Sequence, residues 1–236
     1  MADIDRQAFA VGVNEAIGAL RALYGGVRTL FDELKMSLKD GPNPLHDFDV
    51  RIKPLATRLN PDERFLRTWE GRFYSVQEPP EDDGEEDEGG DDDDVDEEPR
   101  KRKFVTLNKG QDIAFVKVVI YHRAEVEEGE PHVLAGAMRR IHAVEPWEEL
   151  KARTSSLRKL LELVRDGMPV GEIQTRASVM WPDRASRSNK NGNRLVVRID
   201  EPPLVWPLFE IRTQDQLRVI ATQLKALWQS GAAPDA

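Results

Sequence analysis

Apolar residues in the first part of the chain recur at alternating spacings of four and three: Val13, Ile17, Leu20, Tyr24, Val27, Phe31, Leu34 and Leu38. A period of about 3.5 held over several heptads predicts a helix from about Arg6 to Lys39. Gly25-Gly26 sits inside it, and each Gly weakens a helix by roughly 1 kcal/mol relative to Ala, so a bend is expected there. The seam reads first as the buried face of a helix packed on its own domain. Its second reading is a pairing surface, either an antiparallel helix pair or a coiled-coil homodimer. The glycines and the absence of a charge code at the flanking positions put this reading second. For an assembly role the segment offers Tyr24, Val27, Phe31 and Leu34.

Gly41-Pro42-Asn43-Pro44 stops the helix. Residues 48–53 read as a short strand. Asn60-Pro61-Asp62-Glu63 starts another helix with a cap, a first-turn Pro and a capping-box Glu, and Gly71 is expected to end it. Arg72 to Val76 then reads as a strand. Further on, Ala114 to His122 is a β-branched run, and with Val133 to His142 it predicts a hairpin across a turn at 127–130. Pro146 opens a helix with Trp147, Leu150, Thr154, Leu157, Leu161 and Val164 as its apolar stripe, closed by Gly167 and Pro169.

Glu172 to Trp181 is expected as a strand with Ile173, Ala177, Val179 and Trp181 on one face. Asn191-Gly192 is a hairpin signal, although it lies within a long polar loop. Arg194 to Asp200 and Leu204 to Ile211 give two more strands around Glu201-Pro202-Pro203. Thr213-Gln214-Asp215-Gln216 is a capping box ahead of a helix striped by Leu217, Ile220, Leu224 and Leu227. The tail from Gly231 is expected to fray. After residue 104 the order is β-β-α-β-β-β-α. The fold class is α+β: a helical N-terminal module and a C-terminal antiparallel sheet with helices on one face.

Charge divides this pattern. Between Glu78 and Glu98, 15 of 21 residues are Asp or Glu, followed by Arg100-Lys101-Arg102-Lys103. Such a stretch cannot bury apolar surface and repels itself, which predicts a solvated, disordered tether ending in a basic block. The expected division is 1–77 as a helical assembly module, 78–103 as linker and 104–236 as a binding domain. The chain carries 34 basic and 43 acidic residues, net −9; without the 15 tether acids the balance is 34 against 28, net +6. The absence of Cys excludes disulfides, thiolate metal sites and a Cys nucleophile, and fits a reducing cytoplasm. No signal-peptide pattern and no run of membrane-spanning length occurs, so a cytoplasmic protein without membrane contact is expected.

Candidate chemistry is sparse. Arg184, Arg187, Lys190 and Arg194 recur every three or four residues among Ser, Asn and Gly, a loop chemistry suited to phosphates and polyanions. The loop lacks aromatic residues for base stacking. Three of the four histidines, His122, His132 and His142, fall on the expected hairpin. His122 and His132 face each other there with Glu125 nearby, but no third metal ligand converges. No Walker A, GxGxxG, GxSxG or HExxH motif is present.

The α-β-β-β-α order from Trp147 to Trp228 is similar to that of the restriction-endonuclease-like nucleases. Those hold a divalent metal with an Asp on the second strand and Glu-x-Lys on the third. The resemblance places Asp200 and Glu210-Ile211-Arg212 at these points and implies magnesium. Arg212 stands where the family has Lys, a poor substitute for orienting or activating water, and the last strand of that fold has no counterpart. The order also resembles the double-stranded RNA-binding domain, whose second helix opens on a lysine cluster; here that position reads TQDQLR, with Arg218 alone. The expectation is a non-enzymatic interaction or adaptor protein with a protein partner, no cofactor and an acidic regulatory or spacer linker. The alternative is a nucleic-acid-binding protein or magnesium-dependent nuclease.

Overall fold

The structure, a computed structural model, describes residues 6–47, 69–76, 104–120, 130–143, 149–176, 179–180 and 194–230. Its helices are α1 (Arg6–Lys39), α2 (Thr154–Leu163) and α3 (Gln214–Ser230). The strands are β1 (His46–Asp47), β2 (Trp69–Ser75), β3 (Phe104–Asn108), β4 (Ile113–Val119), β5 (His132–Ala143), β6 (Glu149–Arg153), β7 (Gly171–Arg176), β8 (Val179–Met180), β9 (Arg194–Ile199) and β10 (Leu204–Pro207). The fold is mixed α+β with antiparallel sheets, as the pattern predicts.

The main sheet has seven strands in the order β1-β2-β4-β5-β9-β7, with β10 also paired to β5. β3, β6 and β8 form a smaller sheet. β4 and β5 make the expected hairpin pairing, from Ile113↔Met138 to Val119↔His132. β2 precedes the acidic stretch, yet it pairs along its length with β4 beyond it. Residues from both sides of 78–103 therefore share one sheet.

β10 continues the line of β9 along the same side of β5. Arg198 pairs with Arg139 and Leu204 with Ala135, so six steps on one chain face four on the other. The two surplus residues leave the ladder around Glu201-Pro202-Pro203, where two prolines lack the N–H a ladder needs.

β4 is buried at every position, which accounts for its nearly continuous apolar run. Ala114, Val116 and Val118 share a core with Val27, Phe31, Leu34 and Leu38 of α1 and with Leu217, Ile220 and Leu224 of α3. Ile113, Phe115 and Val119 face the other way, into a core with Leu157, Leu160 and Leu161 of α2 and with Val105, Leu107 and Ala152 of the small sheet. The expectation of helices on one face is thus corrected: α1 and α3 cover one face, α2 the other. A strand apolar on both sides needs both faces covered.

Other boundaries also differ. The helix expected from Pro146 begins only at Thr154. Glu149–Arg153 is β6 instead, because five residues pair with β3, and β3 itself had no counterpart in the pattern. Gly71 does not end a helix but lies inside β2. A Cβ there would collide with Leu161 Cδ2 and sit 3.2 Å from Val116 O, so Gly71 lets α2 approach the sheet. The strand expected over 204–211 stops at Pro207 and turns into a 3-10 helix, Leu208–Glu210. The strand expected over 172–181 divides into β7 of the main sheet and β8 of the small one. The expected strand at 48–53, the helix from Asn60 and, save for Glu130, the turn at 127–130 lie outside the described residues.

α1 runs helically through Gly25-Gly26. It stops as expected, with Gly41 at φ +80° in the left-handed conformation that glycine adopts without a Cβ clash.

Candidate functional site

α3 is fixed at both ends, and this placement creates a groove beside α1. At its start, Leu208 N donates to Pro131 O at 2.7 Å and anchors the 3-10 turn to the sheet. The predicted capping box forms: Thr213 N donates to Gln216 Oε1 at 3.0 Å, and Gln216 N donates to Thr213 Oγ1 at 3.3 Å. At its end, Arg139 reaches from β5 and is only 4% exposed. Its Nη2 donates to the carbonyls of Leu227 and Trp228 at 2.6 and 3.0 Å, while Nη1 pairs with Asp112 Oδ2 at 2.9 Å. The guanidinium lies 5.2 Å from the centre of the Trp228 ring. A cation at a helix C-terminus meets the unpaired carbonyls and the negative end of the helix dipole.

The groove has a volume of about 540 Å³. One wall is α1, through Leu23, Gly26, Val27, Leu30 and Glu33. The other is the 3-10 turn and the start of α3, through Phe209, Ile211, Arg212, Thr213 and Leu217. Phe209 is 56% exposed, a large apolar side chain left in water at the groove's edge. Arg212 Nε donates to Phe209 O at 2.9 Å, which holds the guanidinium on the same rim. Glu33 supplies the opposite charge on the α1 side. The volume falls in the range of ligand and peptide sites, and the lining is apolar with a few polar groups.

Lys117 is the counterpart of Arg139 on the opposite face of the sheet. It is 5% exposed, and its Nζ donates to Leu161 O at 2.9 Å and Val164 O at 2.7 Å, closing the end of α2. The ammonium lies 5.1 Å from the centre of the Trp69 ring, with the Arg158 guanidinium 5.4 Å from the same ring. Burial lowers the Lys117 amine from 10.5 to about 8; Glu162 opposes the shift and Arg165 adds to it. Below pH 8 the amine is charged in both the folded and unfolded states. Between pH 8 and 10.5 only the unfolded state keeps the proton, so stability rises with pH in that window. The stability difference between wild type and Lys117→Met is expected to shift in favour of wild type by on the order of 2 kcal/mol between about pH 7.5 and 9.5 in urea titrations. A difference that stays flat would mean the carbonyls hold the amine charged.

Most residues singled out from sequence lie away from the groove. Val27, Phe31 and Leu34 are buried in the chain's own core, and Tyr24 is half-buried against it. Val27 alone of these four also lines the groove. Arg184, Arg187 and Lys190 lie outside the described residues. Arg194 is exposed at the start of β9, where its Nη1 donates to Gln174 Oε1 at 3.3 Å.

Asp200 follows β9, pairs with Arg198, and lines a shallow depression of about 270 Å³ with Glu172. Glu210 ends the 3-10 turn, on the way into α3. Ser230, at the far end of α3, donates to Glu201 beside Asp200 at 2.9 Å. Asp200 and Glu210 thus lie toward opposite ends of α3, a helix roughly 25 Å long. The structure does not bring these carboxylates together, and Arg212 belongs to the groove instead. Among the described residues no cluster of three or more His, Asp or Glu side chains is arranged to hold a metal. His132 and His142 each place Nδ1 2.9 Å from a nearby backbone oxygen, those of Glu130 and Arg140; His122 lies outside the described residues.

The groove, Arg139 and Lys117 escaped the sequence reading. Lys117 had a visible signal, a lone charge in the middle of an apolar strand. Comparison with protein-family models, with curated proteins and with solved structures returns no match.

Proposed function

We propose that this chain is a non-enzymatic interaction or adaptor protein whose contact surface is the groove between α1 and α3. The acidic stretch 78–98 serves it as a spacer or regulatory linker. The observation that carries this reading is an apolar groove of about 540 Å³ edged by the exposed Phe209. The separation of Asp200 from Glu210 weighs against the nuclease alternative. Among the described residues no helix is long and apolar enough to cross a membrane. The lack of Cys fits a reducing cytoplasm, where we place the protein.

The test is partner recovery by the full chain and two variants. Phe209→Asp places a charge at the groove's edge and is expected to lose the partner. Val219→Asp alters another exposed apolar position, on α3, and is expected to keep it. Equal recovery by both variants would take the contact off the groove, and magnesium-dependent cleavage of nucleic acid that Asp200→Ala abolishes would replace this reading with the alternative.

A further inference from the structure

Gly25 and Gly26 break a local rule without a structural return. Neither has a positive φ, and a Cβ on either would meet nothing within 4 Å. Each costs the helix roughly 1 kcal/mol relative to Ala. Gly12 and Gly18 of the same helix share this property, and of the four only Gly26 lines the groove. Gly26 lies on the α1 wall of the groove, where it leaves bare backbone between Leu23, Val27 and Leu30. That wall is a ridge of apolar side chains at helical spacing with a notch in it, the shape into which a second helix packs.

The opposite rim sets the charge. Arg212 presents its guanidinium there, held through Nε by Phe209 O. Thr213 begins the capping box, and the box leaves the first-turn amides of Gln214 and Asp215 outside its bonds. A guanidinium beside a helix N-terminus favours a carboxylate. The floor next to it is apolar.

We infer that the groove seats an amphipathic helix of a partner protein. Its apolar side chains, at helical spacing, fill the floor; its backbone crosses α1 at Gly26; an Asp or Glu at the edge of its apolar stripe pairs with Arg212. This rests on the interaction reading above and names the occupant of that site. Charge complementarity sets its orientation: the acidic edge of the helix faces Arg212 and is turned away from Glu33 on the α1 wall.

The probe is a displayed library of helical peptides, about 14 residues long, with an apolar stripe and randomised boundary positions. It is selected on the full chain, and the enriched peptides are measured against Gly26→Leu and Arg212→Glu. The Cβ of Gly26→Leu meets nothing within 4 Å, and Leu improves helix propensity, so the variant is expected to fold at least as stably as wild type. Enriched peptides are expected to carry an acid at the boundary and to bind Gly26→Leu at least about tenfold more weakly. Arg212→Glu is expected to shift preference about tenfold toward a basic boundary residue.

Several results overturn the proposal. Peptides that bind wild type and Gly26→Leu equally would move the contact elsewhere while leaving the interaction reading intact. Enrichment of basic or uncharged boundaries would remove the acidic partner. Self-association of wild type that Gly26→Leu abolishes would make a second copy the occupant. No enrichment, joined with no partner recovered, would remove both readings.

Discussion

Phe31→Asp is expected to leave the chain unfolded. Phe31 is 2% exposed, packed among α1, α3 and the main sheet, with the Arg72 guanidinium 5.5 Å from its ring centre. Removing a core aromatic costs about 3–5 kcal/mol. A carboxylate in its place adds a desolvation cost of several more, only partly offset by Arg72, which already lies 4.0 Å from Glu70. Together these rival the whole stability of a typical domain, about 5–15 kcal/mol. Circular dichroism and sedimentation of the purified variant check this outcome. Loss of the cooperative unfolding transition is expected. A dimer that dissociates to a folded monomer with an unchanged spectrum would instead make the α1 seam a pairing surface between copies.

Arg139→Leu is expected to destabilise the chain by roughly 2–4 kcal/mol, because it removes a buried guanidinium that satisfies the end of α3 and a partly buried Asp112. Here Asp112 Oδ2 and the Trp228 carbonyl lose the Arg139 donor, and the Leu227 carbonyl keeps only Ser230 Oγ at 2.8 Å. Asp112 has a second task. Its Oδ1 accepts from Arg140 N at 2.8 Å, at a residue with φ 51° where β5 bulges against β9. The bulge shifts the alternation of β5, so Arg139 points to α3 while Ile141 reaches the opposite core. Asp112→Asn keeps the shape and weakens only the charge pairing, so its cost is expected to be about 1–2 kcal/mol. Urea denaturation distinguishes the two. A loss under about 1 kcal/mol for Arg139→Leu would mean that the apolar stripe of α3 alone holds its C-terminal end.

The long periodic segments were legible from sequence because local pattern and tertiary burial agree in them. α1, the β4–β5 hairpin and the box-capped α3 are of this kind. Strand pairing was less legible. Nothing local in Trp69–Ser75 announces that it will pair with β4 across the acidic stretch. β6 was lost for a related reason. Leu150, Thr154, Leu157 and Leu161 fit a helical stripe, and five backbone pairs with β3 override that pattern up to Arg153. Pro207, which lacks an N–H for the ladder, closes a strand that the apolar pattern from Leu204 to Ile211 would otherwise extend.

The groove itself was not legible, although one of its parts was. The glycine pair stood out as a departure from helix propensity, and α1 nonetheless runs helically through it. Its place beside Phe209 and Arg212 depends on the packing of α1 against α3, nearly two hundred residues apart in the chain. Arg212 shows the same limit. Sequence order set it beside Glu210 as a nuclease residue, whereas the chain folds it onto the rim of the groove.

Amide hydrogen exchange of the full chain, with and without the recovered partner, tests the interaction surface most directly. A partner seated in the groove adds protection in two stretches, 23–33 of α1 and 208–217 at the start of α3. Protection confined to β7 and β9, or none in either groove wall, would contradict it.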